Sequence, residues 1–395
     1  MPETTTYQAP LQRPNGSRPT HLSGLPAQLP ELAARHAAYA EREKVLHPEV
    51  AEALREAGFA RHFVPAKWGG CEGGFEDYLT AVTEVSRRDP SAGWCAAILA
   101  SLSRMAAFLP EEGRDTVWAQ GPDALVVGAL VPGGAARMAS GGWILSGRWP
   151  YVSGVHFSDF ALLAAQVPLP SGRSQVRFLL VPRAAYGIER TWDTVGMRGT
   201  GSDTVVLDEV FVPEGHTFLQ RQLATGRDPG GAGPACLEVP HKNVSGLTFA
   251  APVLGAVRGA LDAWTRTTAH KRAAAPSTQP PAVSAELDLA HSSAQTDAAE
   301  LLLTRAARDA DRGLLGTELT GARAQRDHVA AVDLLLDAVN RLQRTGGTGG
   351  QSLGAELQRF WRDANTAAGH AVLKWEPAAR RFGSARLAVP LGDLS

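Results

Sequence analysis

The chain has 395 residues, 39 Lys and Arg against 40 Asp and Glu, a formal net charge of −1, and 44 % hydrophobic residues. The balanced charge offers no basic field for nucleic acid, and three cysteines make no disulfide framework and point to a reducing compartment. No apolar run approaches the roughly 20 residues of a membrane span, and no secretory pattern opens the chain, so the expectation is a cytoplasmic protein with a large core and no membrane or nucleic-acid partner.

Residues 1–22 carry Pro2, Pro10, Pro14 and Pro19 among polar side chains and read as a flexible tail. Glu31 to Glu43 is rich in Ala, Glu and Arg, all good helix formers. Val50, Leu54 and Ala57 recur at helical spacing up to Gly58. Phe75 to Arg87 repeats the pattern through Leu79, Val82 and Val85, and Ser91 to Leu109 reads as a buried helix of small residues. Residues 23–123 are therefore expected to form a helical unit.

The period then shortens. Leu125 to Ala129, Trp143 to Leu145, Asp159 to Val167, Val176 to Val181 and Thr204 to Val212 are short runs rich in branched residues, with glycine-rich punctuation between them. This pattern predicts an antiparallel sandwich or barrel over 124–222. A Gly- and Pro-rich connector follows over 223–240. Residues 241–395 hold four candidate helices, Leu247 to Arg272, Ala285 to Arg312, Glu318 to Arg344 and Leu353 to Trp375. Val332, Leu335, Val339 and Leu342 keep the spacing of packed bundle helices.

Specific segments carry more than this order. Leu54 to Phe59, Val64-Pro65 and Trp68 to Gly70 resemble the N-terminal signature of acyl-CoA dehydrogenase-fold flavoproteins. Val195 to Ser202 followed by Asp208 to Pro213 resembles the β-domain signature of that fold, and Gly346-Gly347 with Gln358 to Asp363 resembles its last two helices. The resemblance spans about residues 25–385. It implies an α+β, acyl-CoA dehydrogenase-like fold, with an N-terminal helical domain, a central antiparallel β-sandwich or barrel, and a C-terminal four-helix bundle.

Two chemistries compete within that fold. One dehydrogenates an acyl thioester. The other is the two-component monooxygenase branch, which includes oxygenases for phenols, secosteroid phenols, 4-hydroxyphenylacetate and actinorhodin-type polyketides. Leu145 to Gly154 is similar to the Ser-Gly-Arg-Trp-x-Phe/Tyr-x-Ser-Gly segment of those hydroxylases. The glutamate base of the dehydrogenases would fall near Ala371, where no carboxylate stands, and His370 beside that slot matches the hydroxylase pattern. Imidazole titrates near neutral pH, which suits deprotonation of a phenol. Glu376 is followed by Pro377, which disfavours continued helix, so a surface or cap role is expected of it.

The resemblance implies an oxygenase component that receives reduced flavin, FMNH2 or FADH2, from a separate flavin reductase. O2 would add to form a C4a-hydroperoxyflavin that hydroxylates a small aromatic substrate. His370 and Ser153 are the expected catalytic residues, the first as base or stabiliser, the second as a donor with the Val152 backbone near flavin N5. Trp94 either stacks on the flavin or anchors its helix. Trp149 and Tyr151 either wall the flavin or fill the β unit. Arg198, Thr200 and Ser202 either present donors to flavin phosphate or form a glycine turn. Arg272 occupies the place where relatives hold flavin phosphates of a neighbouring subunit, with a solvated charge cluster as the plain alternative.

Ser101 and Ser103 stand where some relatives carry a histidine and are assigned to the substrate. His156 is either substrate-facing or an ordinary loop histidine. Cys71, Cys95 and Cys236 lack ligand spacing, so no metal is expected. Relatives assemble as tetramers through the C-terminal helices, and a homotetramer is the expectation. The competing functions are N-oxygenation of an amine or amino sugar, acyl-thioester dehydrogenation, and a non-catalytic member of the fold.

Overall fold

In a computed structural model, the structure describes residues 22–168, 173–226, 233–275 and 283–389. The expected tail therefore lies almost wholly outside the described residues, as does the middle of the expected connector. Five helices come first: α1 (Gln28–Glu43), α2 (Pro48–Glu56), α3 (Phe75–Ser86), α4 (Pro90–Ala106) and α5 (Glu111–Val117). The start of α4 is set by chemistry. Asp89 accepts hydrogen bonds from the Ser91 and Ala92 N–H groups, and Pro90 occupies a first-turn position that needs no N–H. Gly93 then lets α4 pass α3 closely, since a Cβ there would meet the Ser86 Oγ at 1.7 Å.

Seven strands follow: β1 (Val126–Ala139), β2 (Gly142–Val152), β3 (Phe160–Pro168), β4 (Ser174–Pro182), β5 (Gly187–Glu189), β6 (Asp203–Pro213) and β7 (Thr217–Leu219). They make one sheet in the order β5-β6-β2-β1-β3-β4-β7. All neighbours are antiparallel except β1 and β3, which run parallel. The expectation of a purely antiparallel unit is corrected on that one pair. A second correction concerns punctuation. Of the two Gly-Gly pairs between the first two predicted runs, Gly141–Gly142 turns the chain, with Gly141 at φ +78°. Gly133 and Gly134 instead lie inside β1, because the Trp149 indole lies over them. A Cβ on Gly134 would come within 2.5 Å of that ring.

Helices then return: α6 (Gln220–Thr225), α7 (Ala235–Glu238), α8 (His241–Ala274), α9 (Val283–Asp311), α10 (Glu318–Thr345), α11 (Glu356–Ala368) and α12 (Trp375–Leu387). Among the described residues only α8 is long and apolar enough to cross a membrane, and it is the buried central helix, packed on α3, α4, α9, α10 and α11. Gly255 and Gly259 permit that packing, with the carbonyl oxygens of Thr83 in α3 and of Arg87 just after it 2.5 Å from where the respective Cβ would stand. Val332, Leu335, Val339 and Leu342 are all buried within the chain, so their stripe is internal.

The predicted last helix, Leu353 to Trp375, is two helices. α11 stops at Gly369, His370 is extended (φ −62°, ψ 140°), and Ala371–Leu373 form a single 3-10 turn. Pro377 lies in the first turn of α12, where its missing N–H costs nothing, so it opens a helix instead of closing one. Glu376 is exposed and lies 3.6 Å from Arg380.

Candidate functional site

The end of β2 leaves the sheet through two left-handed residues, Tyr151 (φ +65°) within the strand and Gly154 (φ +73°) after it. Between them Val152 is fully buried and Ser153 nearly so. The Gly154 N–H donates to the Thr200 carbonyl at 2.9 Å, which fixes this segment to the Val195–Ser202 turn. Four polar groups then line up. The Trp94 Nε1–H donates to Ser153 Oγ at 2.9 Å, Ser153 Oγ lies 2.8 Å from Ser202 Oγ, and Ser202 Oγ lies 2.6 Å from Thr200 Oγ1. Thr200 Oγ1 donates to the Met197 carbonyl at 2.9 Å.

Three rings close the other side. The Trp94, Phe249 and His370 rings come from α4, α8 and the turn after α11. Phe249 and His370 stack with centroids 3.6 Å apart at 18°, and Trp94 meets Phe249 at 5.2 Å and His370 at 6.0 Å. His370 Nδ1 accepts a hydrogen bond from the Val372 N–H at 3.3 Å. In a neutral ring that assignment puts the proton on Nε2. Burial holds the ring neutral by lowering its pKa to about 4. With the proton there, Nε2 can donate; of the two roles expected of His370, base or stabiliser, this tautomer suits the second.

Ser101 is buried on α4 and accepts from Thr248 Oγ1 at 3.3 Å, next to Phe249. Ser103 points to the opposite face of α4, fully buried, and its hydroxyl has no partner among the described residues. The two serines therefore do not share a site, and the substrate assignment of Ser103 is corrected.

Four other expectations are also corrected. Trp149 is 0 % exposed and donates to the Ala164 carbonyl at 2.7 Å, so it fills the sheet interior and walls nothing. Tyr151 is 72 % exposed, edge-on to Trp192 at 6.2 Å. It does not fill the β unit. Arg198 spends its donors on the Glu41 and Thr194 carbonyls, with the Glu41 and Asp193 carboxylates nearby. It anchors the turn to α1 and is not aimed at a phosphate. His156 Nε2 bonds Asp203 Oδ2 at 2.6 Å, while Asp203 Oδ1 accepts from the Thr191 and Trp192 N–H groups. That histidine ties the turn after β2 to β6 and does not face a substrate. Arg272 sits at the end of α8 in an exposed pair with Glu286 at 2.9 Å, a contact weak enough to exchange for another anion.

Of the Gly346-Gly347 pair, Gly346 lines a separate cavity of about 120 Å³ with Trp264, Thr267, Thr268 and Glu356. None of the rings or hydroxyls above borders it. Among the described residues, the grouping of His36, His47 and Glu49 is the one cluster of metal-ligating side chains, and it lies outside this site.

The sequence reading missed two groups. Phe249 lies in an unbroken apolar run of α8, where nothing distinguishes it from core. Asp363 was visible only as part of a motif. It is buried, accepts from the Met197 N–H at 2.5 Å, and so holds Met197 in its left-handed conformation (φ +55°) against α11. Burial raises its carboxyl from the usual 3.8 to about 7. At Asp363 the folded chain then keeps a proton that the unfolded chain releases, so this residue's contribution to stability falls as pH rises from about 4 to 7 and levels above that. Asp363→Asn keeps the acceptor and removes the titration. The unfolding free energy of wild type relative to Asp363→Asn is expected to fall across that window, because the buried His328 and His370, both lowered to about 4, titrate alike in the two proteins. An unchanged slope in urea unfolding curves would assign the pH dependence elsewhere.

The donor set suits a flat, largely apolar ring system with N–H groups at its edge. Aromatic faces line it, a polarised hydroxyl ends at Ser153, and no carboxylate points into the three-ring cluster among the described contacts. Comparison with known proteins gives the family. The acyl-CoA dehydrogenase N-terminal domain profile matches residues 29–116 and the corresponding C-terminal domain profile matches 247–375. The FADH(2)-dependent resorcinol hydroxylase oxygenase component of a Rhizobium species is 33 % identical over 380 residues, covering 91 % of this chain and 92 % of that one. The flavin-dependent monooxygenase oxygenase subunit HsaA of Rhodococcus jostii is 30 % identical over 383 residues, covering 94 % and 99 %. Among solved structures, a 3-HSA hydroxylase from Rhodococcus superposes with a TM-score of 0.86 at 28 % identity, over 92 % of this chain and 96 % of that one. XiaF from Streptomyces, in complex with FADH2, superposes with a TM-score of 0.83 at 27 % identity, over 93 % and 97 %.

Proposed function

Because the chain belongs to the flavin-dependent oxygenase components built on the acyl-CoA dehydrogenase fold, we propose that it hydroxylates a small phenolic ring, with FADH2 delivered by a separate reductase. The choice of FADH2 follows the named dependence of the Rhizobium relative and the FADH2 in XiaF. When bound, the reduced flavin supplies the O2-activating chemistry.

The protein's residues do the rest. Trp94 and Phe249 exclude water from one face of the reacting ring. Ser153 and the Val152 backbone bind the flavin edge. His370 donates from Nε2 to the oxygen of a phenol that binds as its phenolate, its proton left to bulk solvent before binding, and so favours the anion, whose ring is the better nucleophile. A base with a pKa near 4 would gain little by taking a phenol proton, whereas a neutral donor stabilises the anion directly. The observation that carries this reading is the Val372 N–H on His370 Nδ1, within a wall of aromatic rings.

Arg272 is proposed to reach a flavin phosphate of a neighbouring subunit in a homotetramer. Leu287 and Leu301 on α9 are exposed apolar residues available to such a contact. A cytoplasmic setting fits three cysteines that form no disulfide. The test supplies chemically reduced FAD and O2 with three substrate classes. Phenols are expected to gain a hydroxyl. N-oxidised product from an amine, or bleaching of bound flavin by an acyl thioester, would replace this reading with another.

A further inference from the structure

α11 is fastened to the Val195–Ser202 turn by Arg362, by Asp363 and by a close approach at Gly196. The Arg362 guanidinium donates to the Val195 carbonyl, and Asp363 accepts from the Met197 N–H at 2.5 Å. Between them a Cβ on Gly196 would stand 2.4 Å from the Arg362 carbonyl oxygen and 2.6 Å from Thr366 Oγ1. The Met197 peptide is the joint. Its N–H is taken by α11, and its carbonyl accepts from the Trp192 Nε1–H at 3.0 Å, the Thr200 N–H at 3.2 Å and Thr200 Oγ1 at 2.9 Å. The Thr200 carbonyl in turn accepts from the N–H of Gly154, the residue after Ser153. The Thr200 and Ser202 hydroxyls are buried and spent within this turn, so neither is aimed at a phosphate. At its other end α11 leads into His370, whose N–H donates to the Ala367 carbonyl at 3.2 Å. One helix therefore connects the Ser153 side of the site to the His370 side.

We infer that Gly196 and Asp363 are positioning residues that set the distance between His370 and Ser153, and that this distance decides whether oxygen reaches the phenol or is released as hydrogen peroxide. The inference rests on the flavin reading above. Either outcome consumes one O2 and the two electrons of the reduced flavin. In hydroxylation one oxygen atom enters a C–H bond of the ring and the other leaves as water. Without transfer both oxygen atoms leave together as hydrogen peroxide. Transfer needs the ring, oriented through its oxygen by His370, within reach of the flavin edge bound at Ser153. Peroxide release needs neither residue. Relieving a 2.4 Å contact to ordinary separation moves the turn from α11 by about 1 Å, because the obstruction is a backbone carbonyl and a Cβ cannot turn aside. A misplacement of about 1 Å costs up to about 10²-fold in a step that depends on near-attack geometry.

The test compares wild type with Gly196→Ala, Asp363→Ala and Asp363→Asn, each shown to be folded by a thermal melt above the assay temperature. Amide hydrogen exchange is read first, on the flavin-free proteins. Gly196→Ala and Asp363→Ala are expected to speed exchange at Gly154, Met197 and Thr200 together by at least about tenfold, as local opening of a turn that has lost its hold. Asp363→Asn keeps the acceptor and is expected to match wild type. Each protein is then mixed with chemically reduced FAD, O2 and resorcinol, and hydroxylated product and hydrogen peroxide are counted per flavin oxidised. Gly196→Ala and Asp363→Ala are expected to lower the product-to-peroxide ratio at least about tenfold while the flavin is oxidised at close to the wild-type rate. Asp363→Asn is expected to keep the ratio.

Exchange unmoved in Gly196→Ala and Asp363→Ala would mean that α11 does not hold the turn, and would overturn the inference. Faster exchange with an unmoved product-to-peroxide ratio would also overturn it and leave the flavin reading intact. So would a ratio that falls as far in Asp363→Asn as in Asp363→Ala, since the acceptor is kept in the first. Peroxide alone from wild type would remove the flavin reading and the inference together.

Discussion

His370→Ala is expected to slow hydroxylation by about 10²–10³-fold at saturating reduced flavin, the usual loss when one preorganised donor to a developing anion is removed. The informative comparison is His370→Gln. A carboxamide can donate an N–H but is no base at any working pH. If His370 acts as a donor, the Gln variant retains activity within about tenfold of wild type; if it acts as a base, Gln falls as far as Ala. The pH profile carries the same distinction. The ring is lowered to about 4 by burial and is neutral above that. The rate between pH 5 and 8 should therefore show no limb that disappears in the Gln variant. Below about 4 the ring gains a proton at Nδ1, opposes the Val372 N–H, and the donor geometry is lost. Single-turnover rates of the three proteins across pH decide the matter.

Trp149→Ala is expected to be the most destabilising single change at the β2 segment, at about 3–5 kcal/mol, as for other fully buried large aromatics. The indole lies in a recess that exists only because Gly133, Gly134 and Gly147 lack side chains, and its N–H satisfies the Ala164 carbonyl. Removing it opens a void and orphans that acceptor. Urea unfolding would show it as a large drop in midpoint. A loss below about 1 kcal/mol would mean that the recess collapses, and that Trp149 is not the core of this strand pair. Trp149→Phe, which keeps most of the volume, should leave the affinity for reduced flavin unchanged, because the ring touches no part of the proposed cleft.

These two residues also show what the sequence could carry. The helical periods of α3 and α10 were legible because apolar residues recur on one face over several turns, whereas α8 and α9 were legible by length and composition. The strand segments were legible by composition, but β1 was not read through Gly133 and Gly134. Pairs of glycines signal turns in general, and only the position of a distant tryptophan shows that these two are spacers. The break at Gly369–His370 was hidden because Ala367, Ala368 and Ala371 are good helix formers on either side. The site itself was half legible. Motif resemblance pointed to Trp94, Ser153 and His370, and the structure brings the three together. It could not separate Trp149 from Trp94, because a tryptophan reads alike whether it lines a cleft or fills a sheet. Nor does a sequence reveal that Arg198 and His156 are already paired, since Glu41 and Asp203 lie 157 and 47 residues away.

The site is thus divided between two parts of the fold. The β2 end and the Val195–Ser202 turn present the Ser153 hydroxyl, while the turn after α11 presents the His370 ring. Asp363 couples the two, since it leaves α11 to hold the Met197 backbone at the end of the hydroxyl chain.

The claim that this chain uses reduced flavin and O2 to hydroxylate a phenol is tested most directly by isotope. Purified protein is mixed with photochemically reduced FAD, ¹⁸O2 and resorcinol, with no reductase and no nicotinamide present, and the product is analysed by mass spectrometry. The account predicts a hydroxylated product carrying one ¹⁸O atom, formed in proportion to the reduced flavin added. Unlabelled product, or unchanged phenol with all reducing equivalents recovered as hydrogen peroxide, would contradict it.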